Sequence, residues 1–84
     1  MKATCLIVDD EPLAVQLLKK HVSEMDNLVL AGTCTNAIEA SSFLMQQPVE
    51  LLFLDIQMPR LTGIDFLKVL KTPPAVIITT AHRE

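Results

Sequence analysis

The chain has 84 residues, 50% of them apolar, only three aromatic (all Phe), and a net charge of −3. That length bounds it to one small domain with an aliphatic core, and the acidic balance argues against the basic surface of a nucleic-acid binder. No apolar run approaches the ~20 residues of a membrane span, and the N-terminus, Met-Lys-Ala-Thr-Cys, has no signal-peptide pattern.

Residues 3–9 read Ala-Thr-Cys-Leu-Ile-Val-Asp, an apolar stretch ending in acid, which predicts a strand. Asp9, Asp10 and Glu11 lead into Pro12, which suits the first turn of a helix, with Asp10 as the candidate N-cap. Ala14, Leu17, Leu18, Val22 and Met25 recur at i, i+3/i+4 spacing and mark the buried stripe of that helix. Lys19, Lys20 and Glu24 fall on its wetter side, and His21 at the border reads as a surface residue. Leu28 to Cys34 is a second strand, with Gly32 near its end. Cys5 and Cys34 sit in strand-like apolar settings without metal-type spacing, so buried reduced thiols and a cytosolic protein are expected.

Asn36 opens a second helix, and Glu39 three residues later completes a capping-box-like pair. Ala37, Ala40, Phe43 and Leu44 form its apolar side, and Pro48 ends it. The run Leu-Leu-Phe-Leu-Asp-Ile-Gln-Met-Pro at 51–59 then predicts a short strand buried on both faces, with Asp55 at its end. A helix there would be stopped by Pro59. Thr62 caps a third helix, with Asp65 at the third position and Ile64, Phe66, Leu67 and Leu70 facing inward, until Pro73 and Pro74. Ala75 to Ile78 is a fourth buried strand, and Thr79, Thr80 and Ala81 are its exit. The order β-α-β-α-β-α-β implies a parallel sheet with helical crossovers.

Two strands end in acid, the first at Asp9 and Asp10, the third at Asp55. Taken singly, these residues read as a helix cap and a turn residue. If the two strands are neighbours, three carboxylates meet at one sheet edge, where open α/β sheets bind ligands. At about 5 Å and an effective dielectric near 20, each pair repels by roughly 3 kcal/mol. A hard divalent cation relieves this, and Mg²⁺ suits one or two carboxylates, a carbonyl, waters and a phosphate oxygen. A carboxylate so placed can attack phosphorus and form an acyl phosphate. Thr79 and Thr80 offer hydroxyls at the next strand end; β-propensity accounts for either one equally well. A shared metal also requires the strand order 2-1-3-4, with the first helix on one face and the second and third on the other.

Leu-Ile-Val-Asp-Asp-Glu-Pro at 6–12, the 51–59 run, and Ile-Thr-Thr-Ala at 78–81 strongly resemble the receiver domain of two-component response regulators. Gly63, after Leu61 and Thr62, matches as well. The resemblance implies a flavodoxin-like fold in which Asp55 is the phospho-acceptor for a sensor histidine kinase. It makes Asp10 a direct Mg²⁺ ligand, Asp9 a ligand mostly through water, and the backbone carbonyl of Gln57 the remaining protein ligand. Thr80, before Ala81, becomes the hydroxyl that senses the phosphoryl group, with Pro59, Gly63 and Ala81 in support. It implies no enzyme beyond self-phosphotransfer chemistry. The wording around Asn36-Ala37, Asp55 to Gly63 and Pro73 to Ala81 is similar to regulators with a LytTR-type DNA-binding output.

A complete receiver of this family continues with a fourth helix, a fifth strand and a fifth helix, which carry a lysine and a switch aromatic. The sequence stops at Glu84, so the expectation is a truncated receiver whose nucleic-acid contacts belong to an output domain outside it. Its third and fourth strands would lack cover on one face, which predicts self-association. Two rival readings remain. A phosphohydrolase of the haloacid-dehalogenase type needs a second Asp two residues past the nucleophile, where Gln57 stands. A degenerate receiver would use its acids only as caps and act as an interaction module.

Overall fold

The structure is a computed structural model that describes residues 2–55, 68 and 74–79. Among them the elements are β1 (Ala3–Val8), α1 (Pro12–Ser23), β2 (Leu28–Cys34), α2 (Ala37–Gln46), β3 (Leu51–Leu54) and β4 (Ala75–Ile78). The expected third helix lies outside the described residues, apart from Lys68, which is helical and exposed.

The four strands form one sheet in the order β2-β1-β3-β4, and every pair is parallel. This is the order that a metal shared between the first and third strands demands. The chain steps one way from β1 to β2 and the other way from β2 to β3. With one crossover hand, that reversal places α1 and α2 on opposite faces.

The α2 face holds the larger core. Leu6 and Val8 of β1 stand beside Leu52 and Leu54 of β3 in register, and all four are fully buried with Ala37 and Ala40 of α2. Phe43, Leu44 and Val76 pack against this cluster. The β1–β2 register slips between Cys5 and Leu6, leaving Ala31 as an extra residue in β2. The shift brings Gly32 beside Leu6 under the Phe43 ring, where a Cβ would lie 2.8 Å from Cε2. Only a glycine lets the ring lie that close to the strand backbone.

On the opposite face, Cys5, Ile7 and Val22 are buried where α1 crosses β1 and β2. Cys5 and Cys34 are buried free thiols, as expected. Burial pushes both thiols up from their ordinary range, and Glu39 adds to the effect at Cys34.

Three expectations about packing are corrected. Leu17 and Met25 are 57% and 49% exposed, so the inward stripe of α1 is Ala14, Leu18 and Val22 without them. At 100° per residue, 14, 18 and 22 stay within one sector, whereas 17 falls to its side and Met25 lies past the helix end at Ser23. Strand β3 is buried on one face only, since Leu51 and Phe53 are half-buried. Strand β4 is not buried: Ala75 is exposed, and Ile77 and Ile78 are each 45% exposed. Among the described residues it pairs only with β3, so no described strand lies along its outer edge, and α1 packs on β1 and β2 at the other end of the sheet.

Candidate functional site

The C-terminal ends of β1 and β3 set the site. The ladder continues one residue past each strand: Asp9 N–H donates to the Cys34 carbonyl at 3.0 Å, and Asp55 N–H to the Val8 carbonyl at 3.0 Å. Thr79 N–H donates to the Leu54 carbonyl at 2.9 Å. Asp9, Asp55 and Thr79 thus form a row across the sheet edge, directly beyond the row Val8, Leu54 and Ile78.

Just after Asp9 the chain turns into α1. Asp9 Oδ1 accepts the Glu11 N–H at 2.9 Å, which tethers the turn. The N-cap is Glu11, whose Oε1 accepts the Leu13 N–H at 3.2 Å, not Asp10 as the sequence suggested. Because Asp9 already binds the backbone at 11, Glu11 is held extended at the cap position, with φ −100° and ψ 111°. Asp10 is left exposed with its carboxylate available to the site. At the neighbouring β2 end, Asn36 Oδ1 accepts the Glu39 N–H at 2.8 Å and caps α2. Glu39 Oε1 in turn accepts from the Thr35 N–H at 2.8 Å and from its hydroxyl at 3.1 Å. This is a capping box displaced by one residue.

The structure brings Asp9, Asp10 and Asp55 together: one carboxylate oxygen from each lies within 4.8 Å of the others. Asp9 is 1% and Asp55 7% exposed. Asp9 Oδ2 is closed to solvent and has no hydrogen-bond donor among the described residues. Burial holds the Asp9 carboxyl above its ordinary range; the Glu11 N–H opposes this, and the nearby charges of Asp55 and Asp10 add to it. Three carboxylates with oxygens within 4.8 Å of one another, one of them buried and with an oxygen that has no donor among the described residues, are a donor set suited to a hard cation. Asp9, Asp10 and Asp55 fit Mg²⁺ on those grounds.

Gln57, Pro59, Gly63, Thr80 and Ala81 lie outside the described residues. Thr79 is the residue on which the sequence was undecided. Counting by twos from Ile77, opposite Phe53, puts it level with Asp55 on the same face. Its Oγ1 is buried and has no hydrogen-bond partner among the described residues.

Comparison with known proteins agrees with this geometry. Residues 5–84 match the response regulator receiver domain. An uncharacterized response regulatory protein of Shewanella oneidensis is 41% identical over 83 residues, covering 96% of this chain and 35% of that protein. Transcriptional regulatory protein BtsR of Escherichia coli is 38% identical over 81 residues, covering 94% of this chain and 34% of BtsR. Among solved structures, the response regulator domain of Thermotoga maritima CheB superposes with a TM-score of 0.86 at 26% identity, covering 96% of this chain and 62% of that one. The response regulatory domain of mrkE from Klebsiella pneumoniae does so with a TM-score of 0.82 at 27% identity, covering 96% and 69%.

A parallel sheet of order 2-1-3-4 with an acid cluster at its C-terminal edge, and this match, define a signalling domain of two-component systems. The chain belongs to the response regulator receiver domain family. It spans about a third of the length of the curated relatives it matches, 35% and 34%. Receiver domains interact with histidine kinases and bind Mg²⁺ at an acidic pocket, and this chain has the pocket's Asp cluster.

Proposed function

We propose that Asp55 accepts a phosphoryl group from a phosphohistidine of a sensor kinase, and that Asp10, Asp9 and the Gln57 carbonyl hold Mg²⁺ beside it. The convergence of Asp9, Asp10 and Asp55 within 4.8 Å at one sheet edge carries this reading. An Asp55 carboxylate oxygen attacks phosphorus, forming a P–O bond as the P–N bond to the donor imidazole breaks. The imidazole nitrogen keeps the electron pair and takes a proton from solvent. Mg²⁺ supplies charge that offsets the oxygens of the transferring group.

The chain's own residues prepare that step. The Asp55 N–H bond to Val8 holds the acceptor at the end of a packed strand. The Glu11 N–H occupies Asp9 Oδ1, while Asp9 Oδ2 is buried with no hydrogen-bond donor among the described residues. Thr80 is the hydroxyl we assign to sensing the phosphoryl group, with Pro59, Gly63 and Ala81 in support.

Phosphorylation would act through an output domain, which we take to be of the LytTR DNA-binding type and to regulate transcription in the cytoplasm. The similarity to BtsR, a transcriptional regulatory protein, supports an output that regulates transcription. Treating the protein with Mg²⁺ and a small phosphodonor such as acetyl phosphate tests the acceptor. Labelling should reach Asp55, and Asp55→Asn should abolish it; undiminished labelling of the variant would refute the assignment. The half-exposed Ile77 and Ile78 on β4 also support self-association of the 84-residue chain. Sedimentation at micromolar concentration should find dimers or larger species, and a monodisperse monomer would rule them out.

A further inference from the structure

Beside the two buried acids the row at the sheet edge holds one more polar side chain. The Thr79 N–H bond to Leu54 at 2.9 Å extends the β3–β4 ladder, so Thr79 is fixed next to Asp55 and on its face of the sheet. Its hydroxyl oxygen is closed to solvent and, among the described residues, makes no hydrogen bond. Burying a hydroxyl without a partner is unfavourable, whereas valine has the same shape, the same suitability for a strand end and no such cost. Among the described residues, the position therefore keeps a hydroxyl that no other group uses. Asp9 Oδ2, the other buried side-chain atom without a partner among the described residues, stands in the same row. The two have opposite needs: Oδ2 can only accept or ligate a cation, while a hydroxyl can donate to an anion.

We propose that Thr79 is a binding residue of this site, and that its hydroxyl donates a hydrogen bond to a tetrahedral oxyanion carried on Asp55. The inference rests on Asp55 being the phospho-acceptor and assigns a residue beyond that reading. A neutral donor is suited to this place. It favours the phosphoryl oxygens without adding a charge that would compete with the cation among three carboxylates.

Beryllofluoride with Mg²⁺ serves as the probe, because it mimics a phosphoryl group on a carboxylate without turnover. Its dissociation constant is measured by fluorine NMR titration for the wild type, Thr79→Val and Thr79→Ser. Thr79→Val should melt at or above the wild-type temperature without ligand, and bind beryllofluoride about tenfold more weakly. Thr79→Ser should restore binding to within about threefold of wild type. Equal affinity of Thr79→Val and wild type would overturn the role of Thr79 and leave the acceptor assignment standing. Absence of binding to the wild type would overturn both. Should the valine variant not fold, Thr79→Ala against Thr79→Ser makes the same comparison, and equal affinities there would overturn the inference.

Discussion

Replacing Asp9 with Asn should stabilise the metal-free protein, although it alters a fully buried residue. The Asn Oδ1 can keep the Glu11 N–H bond, now 2.9 Å, and its amide replaces the oxygen that has no donor among the described residues. The substitution also removes one charge from a cluster whose oxygens lie within 4.8 Å. At that separation and an effective dielectric of ~20, one pair of unit charges repels by roughly 3.5 kcal/mol. Asp10 is exposed, so solvent screens its share. Protonation of Asp9, whose carboxyl is held above its ordinary range, relieves part of the rest. A net gain of about 2 kcal/mol remains, worth roughly 8–16 °C in a domain of this size. Thermal unfolding at pH 7 in EDTA reads it directly. Adding Mg²⁺ should then raise the wild-type midpoint and leave the variant's nearly unchanged.

The pH dependence has a definite sign. A carboxyl whose folded-state pKa is raised binds more protons folded than unfolded, so its penalty is full above the raised value. The penalty fades as pH falls through that value and is gone below the unfolded Asp value of about 3.9. The advantage of Asp9→Asn should fade over the same window. An unchanged or lowered midpoint for the variant at pH 7 in EDTA would refute the claim that the cluster is under electrostatic strain.

Two further outcomes test the packing. Gly32→Ala would set a Cβ 2.8 Å from Phe43 Cε2 and 3.2 Å from Cζ, costing about 1–3 kcal/mol in urea denaturation; adding Phe43→Leu should recover part of it, and a wild-type midpoint for the single variant would contradict the close approach. Val22→Ala, at a residue 3% exposed, should cost roughly 1.5 kcal/mol or more, whereas Leu17→Ala, at one 57% exposed, should stay within about 0.5 kcal/mol. The reverse ranking would mean that α1 presents another side to the sheet.

Much of the fold was legible because its signals are local. Apolar runs ending at Asp9 and Asp55, and Asn36 followed by Glu39, mark strand ends and a helix start without reference to distant residues. The strand order followed from one added physical demand, that acids at two strand ends share a cation, and β1 does lie between β2 and β3. The sequence was less informative wherever a choice depended on which neighbour is present. Leu17 and Leu18 are equally apolar, yet only the docking of α1 on β1 and β2 decides that Leu18 turns inward. Ala75 to Ile78 read as a buried strand, because composition records what a strand can bury and not whether anything lies over it.

At the site the division is similar. The amino-acid sequence by itself determined that carboxylates end the first and third strands, because each follows an apolar run and is followed within four residues by a proline, Pro12 or Pro59. Tertiary structure decided what each does there. Packing left one oxygen of Asp9 buried without a donor among the described residues, and Glu11 took the cap that Asp10 could have filled. The β3–β4 register set Thr79 beside Asp55. Those assignments depend on a one-residue register and on which hydrogen bonds are already taken, and both are properties of paired strands that no single strand carries.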